Sequence, residues 1–130
     1  MEISVGTLHT EQTVVTEPKL ATTYGSGEVG VFATPAMVAL MEQAASACVR
    51  PFLDAGQVTV GAAVHVDHTA ATPLGAGVRA TAVVTAVDGR RIDFAVTAED
   101  DAGVIGRGTH TRYIVDCQKF EAKAAGRKGR

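Results

Sequence analysis

Residues 34–51 read TPAMVALMEQAASACVRP, and they decide what kind of domain this chain can form. Thr34 places a capping hydroxyl ahead of a proline at the first helical position, strong helix formers follow, and Pro51 stops the run. The spacing predicts one helix of about 15 residues, roughly 22 Å long. Apolar and small side chains fall on nearly every side of it, interrupted only by Glu42, Gln43, Ser46 and Arg50. Such a helix has to be enclosed by protein on most sides.

Outward from the helix the pattern changes to strand. Residues 58–69 (VTVGAAVHVDHT), 77–87 (GVRATAVVTAV), 90–99 (RRIDFAVTAE) and 104–116 (VIGRGTHTRYIVD) alternate as half-buried antiparallel strands, and Asp88-Gly89 is a two-residue hairpin turn. Upstream, residues 8–16 (LHTEQTVVT) suit a further strand, and residues 18–30 (PKLATTYGSGEVG) a flexible, glycine-rich approach to the helix. A single domain over residues 1–118 is expected, followed by a basic tail over 119–130 that should fray. One strand, one enclosed helix and four strands joined as hairpins predict an α+β domain, an antiparallel sheet wrapped around one central helix. Five strands cover only one side of that helix, so a homodimer is expected to supply the rest.

Composition removes several classes of function. With 130 residues the chain is about one domain, and 46% apolar against 20% charged residues argues against disorder or a coiled coil. Twelve basic and fourteen acidic residues give a net charge of −2, with no broad footprint for nucleic acid or an anionic membrane. No apolar run approaches the roughly 18 residues that would span a bilayer. Cys48 and Cys117 are too few for a disulfide framework or a four-ligand zinc site, so a reduced, cytoplasmic setting is expected.

Three strings carry possible chemistry. Residues 25–30 (GSGEVG) match GxGxxG, but no strand leads into them and no parallel βαβ unit follows, so a mobile loop is the better reading than a dinucleotide site. His65-Val66-Asp67-His68 resembles a metal motif, yet residues three apart on a strand face opposite ways. The same alternation puts Val58, Val60, Ala62, Val64, Val66 and His68 on one face, which aims the His68 imidazole at the helix. Glu42 sits mid-helix among Leu40, Met41, Ala44 and Ala45, where a carboxylate is seldom placed unless it is paired or used; Arg50 and Arg112 are the candidate partners. Glu42, a facing His68 and the Thr34 hydroxyl together hold the base, acid and nucleophile types of acyl transfer.

The helix with its flanks (FATPAMVALMEQAASACVRPFL), the strand GAAVHVDHTAATPLG, the hairpin VDGRRIDFAV and the segment IGRGTHTRYIVDCQKFEAK resemble the fluoroacetyl-CoA thioesterase family of hotdog-fold acyl-CoA thioesterases. The resemblance spans roughly residues 31–123, and V-x-H-T-A-A-T-P linked to G-x-G-T-H-x-R is its most specific part. It implies hydrolysis of a short acyl group on coenzyme A to a carboxylate and a free thiol, without metal or redox cofactor. It implies catalytic roles for Thr34, Glu42 and His68, and substrate contacts at Gly61 and Arg112. One departure is visible. The fluoroacetyl-specific enzyme carries bulky aromatic residues before the helix as a lid on the acyl group. Here that segment is GSGEVG and only Phe32 remains beside the substrate, so selectivity for fluoroacetyl is not expected. A hotdog enoyl-CoA hydratase or dehydratase and a non-catalytic acyl-CoA-binding dimer are the other classes the same pocket could serve.

Distances along the elements add one expectation. Thr34 and Glu42 lie about 12 Å apart along a straight helix and are turned by roughly 80°. Gly61 and His68 lie about 23 Å apart along an extended strand. Neither pair can meet one carbonyl within a chain, whereas a two-fold axis brings the start of an element beside the far end of its copy. The sites are therefore expected at the subunit interface, with Thr34 of one chain facing Glu42 of the other, and Gly61 beside the other chain's His68.

Overall fold

The computed structural model describes residues 2–129. Strand β1 (Leu8–Val14) leads through a 3-10 turn at Glu17–Lys19 and a single helical turn, α1 (Ala21–Tyr24), into the long helix α2 (Thr34–Val49). Strands β2 (Gln57–His68), β3 (Gly77–Asp88), β4 (Arg91–Asp100) and β5 (Gly103–Asp116) follow, then helix α3 (Cys117–Ala125). The five strands form one antiparallel sheet in the order β1-β3-β4-β5-β2, so β1 and β2 are its edges. This is the expected sheet around a central helix.

Helix α2 buries Ala36, Met37, Leu40, Met41, Ala44, Ala45, Cys48 and Val49 against the sheet. The opposing layer comes from alternate residues of β3 and β4, among them Val78, Ala80, Ala82, Val84, Ile92, Phe94 and Val96. Burying each of Met37, Leu40 and Met41 is worth about 1.5–3 kcal/mol, so the helix is held by packing far more than by its intrinsic propensity. Val38, Ala39, Glu42, Ser46 and Ala47 stay half-exposed, and Pro35 is exposed. The sheet thus covers one side of α2, and the single chain leaves the other side partly open.

Four local readings need correcting. Thr34 does not cap α2: it is the first helical residue, Ala33 occupies the cap position, and the Thr34 hydroxyl bonds elsewhere. The register of β2 against β5 shifts between Gly61 and Ala63, which reverses the alternation halfway along the strand. Val64, Val66 and His68 face the helix as expected, but before the bulge Thr59 and Gly61 do so, and Val58 is exposed. Within the approach expected to be flexible, residues up to 24 form the 3-10 turn and α1, which ends at Gly25 in the left-handed region (φ 78°), while residues 26–30 form neither helix nor strand. Residues 117–125, expected mostly as fraying tail, form α3 because Asp116 caps its start, accepting a hydrogen bond from the Lys119 backbone at 3.0 Å, and AKAA favours helix.

Candidate active site

Two groups of polar side chains line α2, one at its start and one midway. At the start, Thr34 Oγ1 and His68 Nδ1 are 2.8 Å apart, joining the first residue of α2 to the last residue of β2. His68 Nε2 is buried and makes no hydrogen bond among the described residues. Burial holds the imidazole below its ordinary pKa, opposed by a weaker backbone contact at Ala70, so His68 is neutral at pH 7 and able to accept a proton. A cleft of about 350 Å³ opens over this pair, lined by Phe32, Thr34 and His68 together with Val31, Ser26 and Gly27. Phe32 itself is buried and forms the wall of the cleft, its backbone N–H donating to the Thr72 carbonyl.

The loop that carries His68 into place is anchored behind it. Thr72, fully buried, donates to Asp100 Oδ2 at 2.8 Å, and the Ala102 backbone donates to Asp100 Oδ1 at 2.9 Å. The Thr72 hydroxyl, with help from the backbone N–H groups, keeps the Asp100 carboxyl below its usual range despite burial. The H-T-A-A-T-P string thus ties the end of β2 to the β4–β5 turn. The G-x-G of β5 has a packing cause as well: a Cβ at Gly106 would come within 2.6 Å of Met37 Sδ and 2.7 Å of the Asp67 carbonyl.

Midway along α2, Glu42 Oε2 lies 3.6 Å from Arg112 Nη1. Of the two partners open to Glu42, the fold therefore pairs it with Arg112. Gly61, directly opposite Arg112 in the β2–β5 ladder, has no side chain, and a Cβ there would run into the Glu42 carboxylate. Arg112 is held on every side. Its Nε donates to Thr59 Oγ1 at 2.9 Å, Nη2 to the Thr59 carbonyl at 3.0 Å, and Nη1 to His110 Nε2 at 3.2 Å. The Glu42 side chain is 40% exposed, whereas that of Arg112 is 8% exposed.

His110 was not singled out by the sequence. It is buried at 1% exposure, stacks on Phe94, and donates from Nδ1 to the Ala63 carbonyl at 2.8 Å. A carbonyl only accepts, so the proton sits on Nδ1 and Nε2 is the bare nitrogen that receives Arg112. Burial is the largest influence on the imidazole and lowers its pKa; the Ala63 carbonyl raises it, the Arg112 charge lowers it, and Glu42 raises it. The net lowering keeps His110 neutral, as its place beside a guanidinium requires. Residues 110 and 112 share a strand face by simple alternation, and that was the available signal.

The structure brings Thr34 to His68 and Glu42 to Gly61 and Arg112, but it does not bring the two groups together within one chain. His65 and Asp67 are exposed, on the side of β2 away from His68, and no group of three or more metal-binding side chains occurs among the described residues.

Comparison with known proteins fixes the family. The profile of the fluoroacetyl-CoA-specific thioesterase family matches residues 15–118. The chain is 46% identical over 93 residues to the fluoroacetyl-CoA thioesterase of Streptantibioticus cattleyicolor, covering 72% of this chain and 67% of that protein. A solved structure of fluoroacetyl-CoA thioesterase is similar with a TM-score of 0.94 at 37% identity, over 99% of this chain and 100% of the other. A mutant of that enzyme in complex with acetyl-CoA gives 0.93 at 36% identity, over 98% and 100% of the two chains. A thioesterase superfamily member from Thermus thermophilus gives 0.89 at 32% identity, over 98% and 94%. With most of its length inside the family profile and nearly all of it following the fold of solved relatives, the chain belongs to the fluoroacetyl-CoA-specific thioesterase family of hotdog-fold acyl-CoA thioesterases.

Proposed function

We propose that the protein hydrolyses short acyl-CoA thioesters to the free acid and coenzyme A, at two sites formed between the subunits of a homodimer. The observation that carries this reading is the hydrogen bond between Thr34 and a neutral, half-buried His68 beside an open cleft. One water is consumed, the C–S bond breaks and a C–O bond forms, leaving a carboxylate, a thiol and one proton released to solvent. His68 accepts the proton of the attacking hydroxyl, whether that of Thr34 or of water, and returns it to the departing sulfur. Glu42 supplies the carboxylate, held in place by Arg112, and Gly61 leaves the room that this carboxylate occupies.

Two copies are required because Thr34 and Glu42 lie about 12 Å apart on one helix. The edge strand β2, twelve residues long, offers a partner strand an unpaired ladder, and the less covered side of α2 lies beside Glu42. Pairing β2 with its copy so that Gly61 lies next to the partner's His68 brings each Thr34–His68 pair to the other chain's Glu42. A cytoplasmic location, where acyl-CoA is made and thiols stay reduced, fits the free Cys48 and Cys117.

The test is thiol release from a panel of short acyl-CoA substrates, with double-bond formation or loss followed in parallel. Glu42→Gln and His68→Ala should each lower turnover by about a hundredfold or more, and a strong chelator should leave the wild-type rate unchanged. Near-normal rates in both folded variants would remove the site assignment. Hydration of an enoyl-CoA without thiol release would move the protein to a different reaction.

A further inference from the structure

His110 lies two residues before Arg112 on the same face of β5, and its imidazole uses the two ring nitrogens in opposite senses. Nδ1 donates to the Ala63 carbonyl at 2.8 Å. Nε2 accepts at 3.2 Å from Arg112 Nη1, the same nitrogen that lies 3.6 Å from Glu42 Oε2. Lysine and arginine have no acceptor to offer at such a place, and an ionised carboxylate has no donor. Phe94, the direct partner of His110 in the β4–β5 ladder, stacks on the ring with centroids 6.0 Å apart, so an imidazole that is 1% exposed has little freedom to turn.

Both ends of this bridge bear on the site. Ala63 is the first residue paired after the register shift in β2, and a bulge leaves backbone groups without ladder partners. A side-chain donor from the neighbouring strand pins that bulge, which lets Gly61 and His68 both face α2. At the other end, Thr59 holds Nε and Nη2 of Arg112, and Nη1 has His110 and Glu42 as its neighbours. The charged groups facing the imidazole are Arg112 from β5 and Glu42 from α2; Phe94 from β4 and Gly61 and Ala63 from β2 bring none. A proton on Nε2 turns the acceptor into a donor and sets a second cation against Arg112 in a buried place, so the contact becomes repulsive.

We infer that His110 is a positioning residue for the thioester hydrolysis proposed above: its neutral ring ties the β2 bulge to Arg112 and, through Arg112, sets Glu42, and protonation of that ring disables the site. The inference rests on the acyl-CoA reading for its consequence in rate. Burial, and after it the Arg112 charge, put this protonation below the ordinary histidine value of about 6.5, although the Ala63 carbonyl and Glu42 oppose them. His68 is lowered too, so two imidazoles gain protons on the acid side.

The experiment follows thiol release from acetyl-CoA against pH in His110→Gln and His110→Phe. Glutamine keeps a donor and an acceptor but does not titrate, whereas phenylalanine keeps a stacking ring and offers neither. On the acid side the logarithm of kcat should fall with a slope approaching about 2 in the wild type, one proton each for His68 and His110, and about 1 in His110→Gln. His110→Phe should lower kcat by about tenfold or more with KM nearly unchanged, and glutamine should recover most of that loss. In a Glu42→Gln background the phenylalanine substitution should cost little more, because the group it acts through is already gone. An acid slope that His110→Gln leaves at the wild-type value overturns the inference, and so does an equal loss from His110→Phe in both backgrounds, the mark of a purely structural role. If His110→Phe does not fold, the slope decides alone. If the wild type releases no thiol, the functional reading fails separately and NMR decides: the Arg112 guanidinium signals should move with pH at the midpoint of the His110 ring, a step that His110→Gln should lack. Arg112 signals that ignore the His110 titration overturn the inference.

Discussion

Gly61 lacks a side chain where Glu42 needs the space. A Cβ there would also come within 3.3 Å of both Arg112 Nη1 and His110 Cε1. Gly61→Ala should therefore push the Glu42 carboxylate off its position and lower kcat/KM by about tenfold or more, while thermal denaturation stays close to wild type, because the displaced atoms are the ends of side chains. Full activity in that variant would show that the observed place of Glu42 is not the working one. His110 has a different signature. Its folded pKa is depressed, so the unfolded chain binds a proton more readily than the native state as pH falls below the ordinary histidine value of about 6.5. The stability it contributes is complete above that value and is lost on acidification. His110→Gln, which cannot titrate, should flatten the fall in stability below about pH 6.5 in urea denaturation, with the remaining slope set in part by His68, whose pKa is lowered too. Equal slopes for variant and wild type would contradict the buried, neutral His110. The sequence showed Glu42 as a carboxylate out of place and His68 as a histidine aimed inward. His110 looked like any other member of an alternating strand, because what distinguishes it is a long-range bond to Ala63.

At the scale of elements, the helix and all five strands were legible from periodicity, since α2 is bounded by proline and the strands by glycine turns. The β2 bulge was not, because an extra residue leaves no mark in an alternation of small apolar side chains such as GAAV. That bulge nevertheless lets Gly61 and His68 both face the helix although they are seven residues apart, an odd spacing that a regular strand would send to opposite sides. Helix α3 was missed for another reason: composition alone cannot tell a short, capped, exposed helix from a basic tail. The loop after β2 makes its own prediction. Thr72→Val removes the donor to Asp100 Oδ2 and leaves a buried carboxylate short of a partner, which should cost about 1–3 kcal/mol in chemical denaturation and lower activity through the displaced His68. A variant as stable as wild type would mean that the loop is held by its backbone alone.

For the whole molecule, selectivity and assembly are the open properties. Ser26 and Gly27 border the cleft over Thr34 and His68, and neither presents a large apolar side chain that could close on the acyl group. Steady-state rates on fluoroacetyl-CoA and acetyl-CoA should be within about tenfold of each other, the scale of a single small contact in a pocket. A preference of several orders of magnitude would mean that Phe32 or the partner subunit supplies the closure. Shared sites make a stronger demand. Inactive Thr34→Ala and Glu42→Gln proteins, mixed in equal amounts and allowed to exchange subunits, should give about half heterodimers, each with one intact pairing of Thr34 and His68 with the other chain's Glu42. Thiol release from acetyl-CoA should then recover toward about a quarter of the wild-type rate. No recovery after exchange has been verified by mass would place both groups of a working site within one chain.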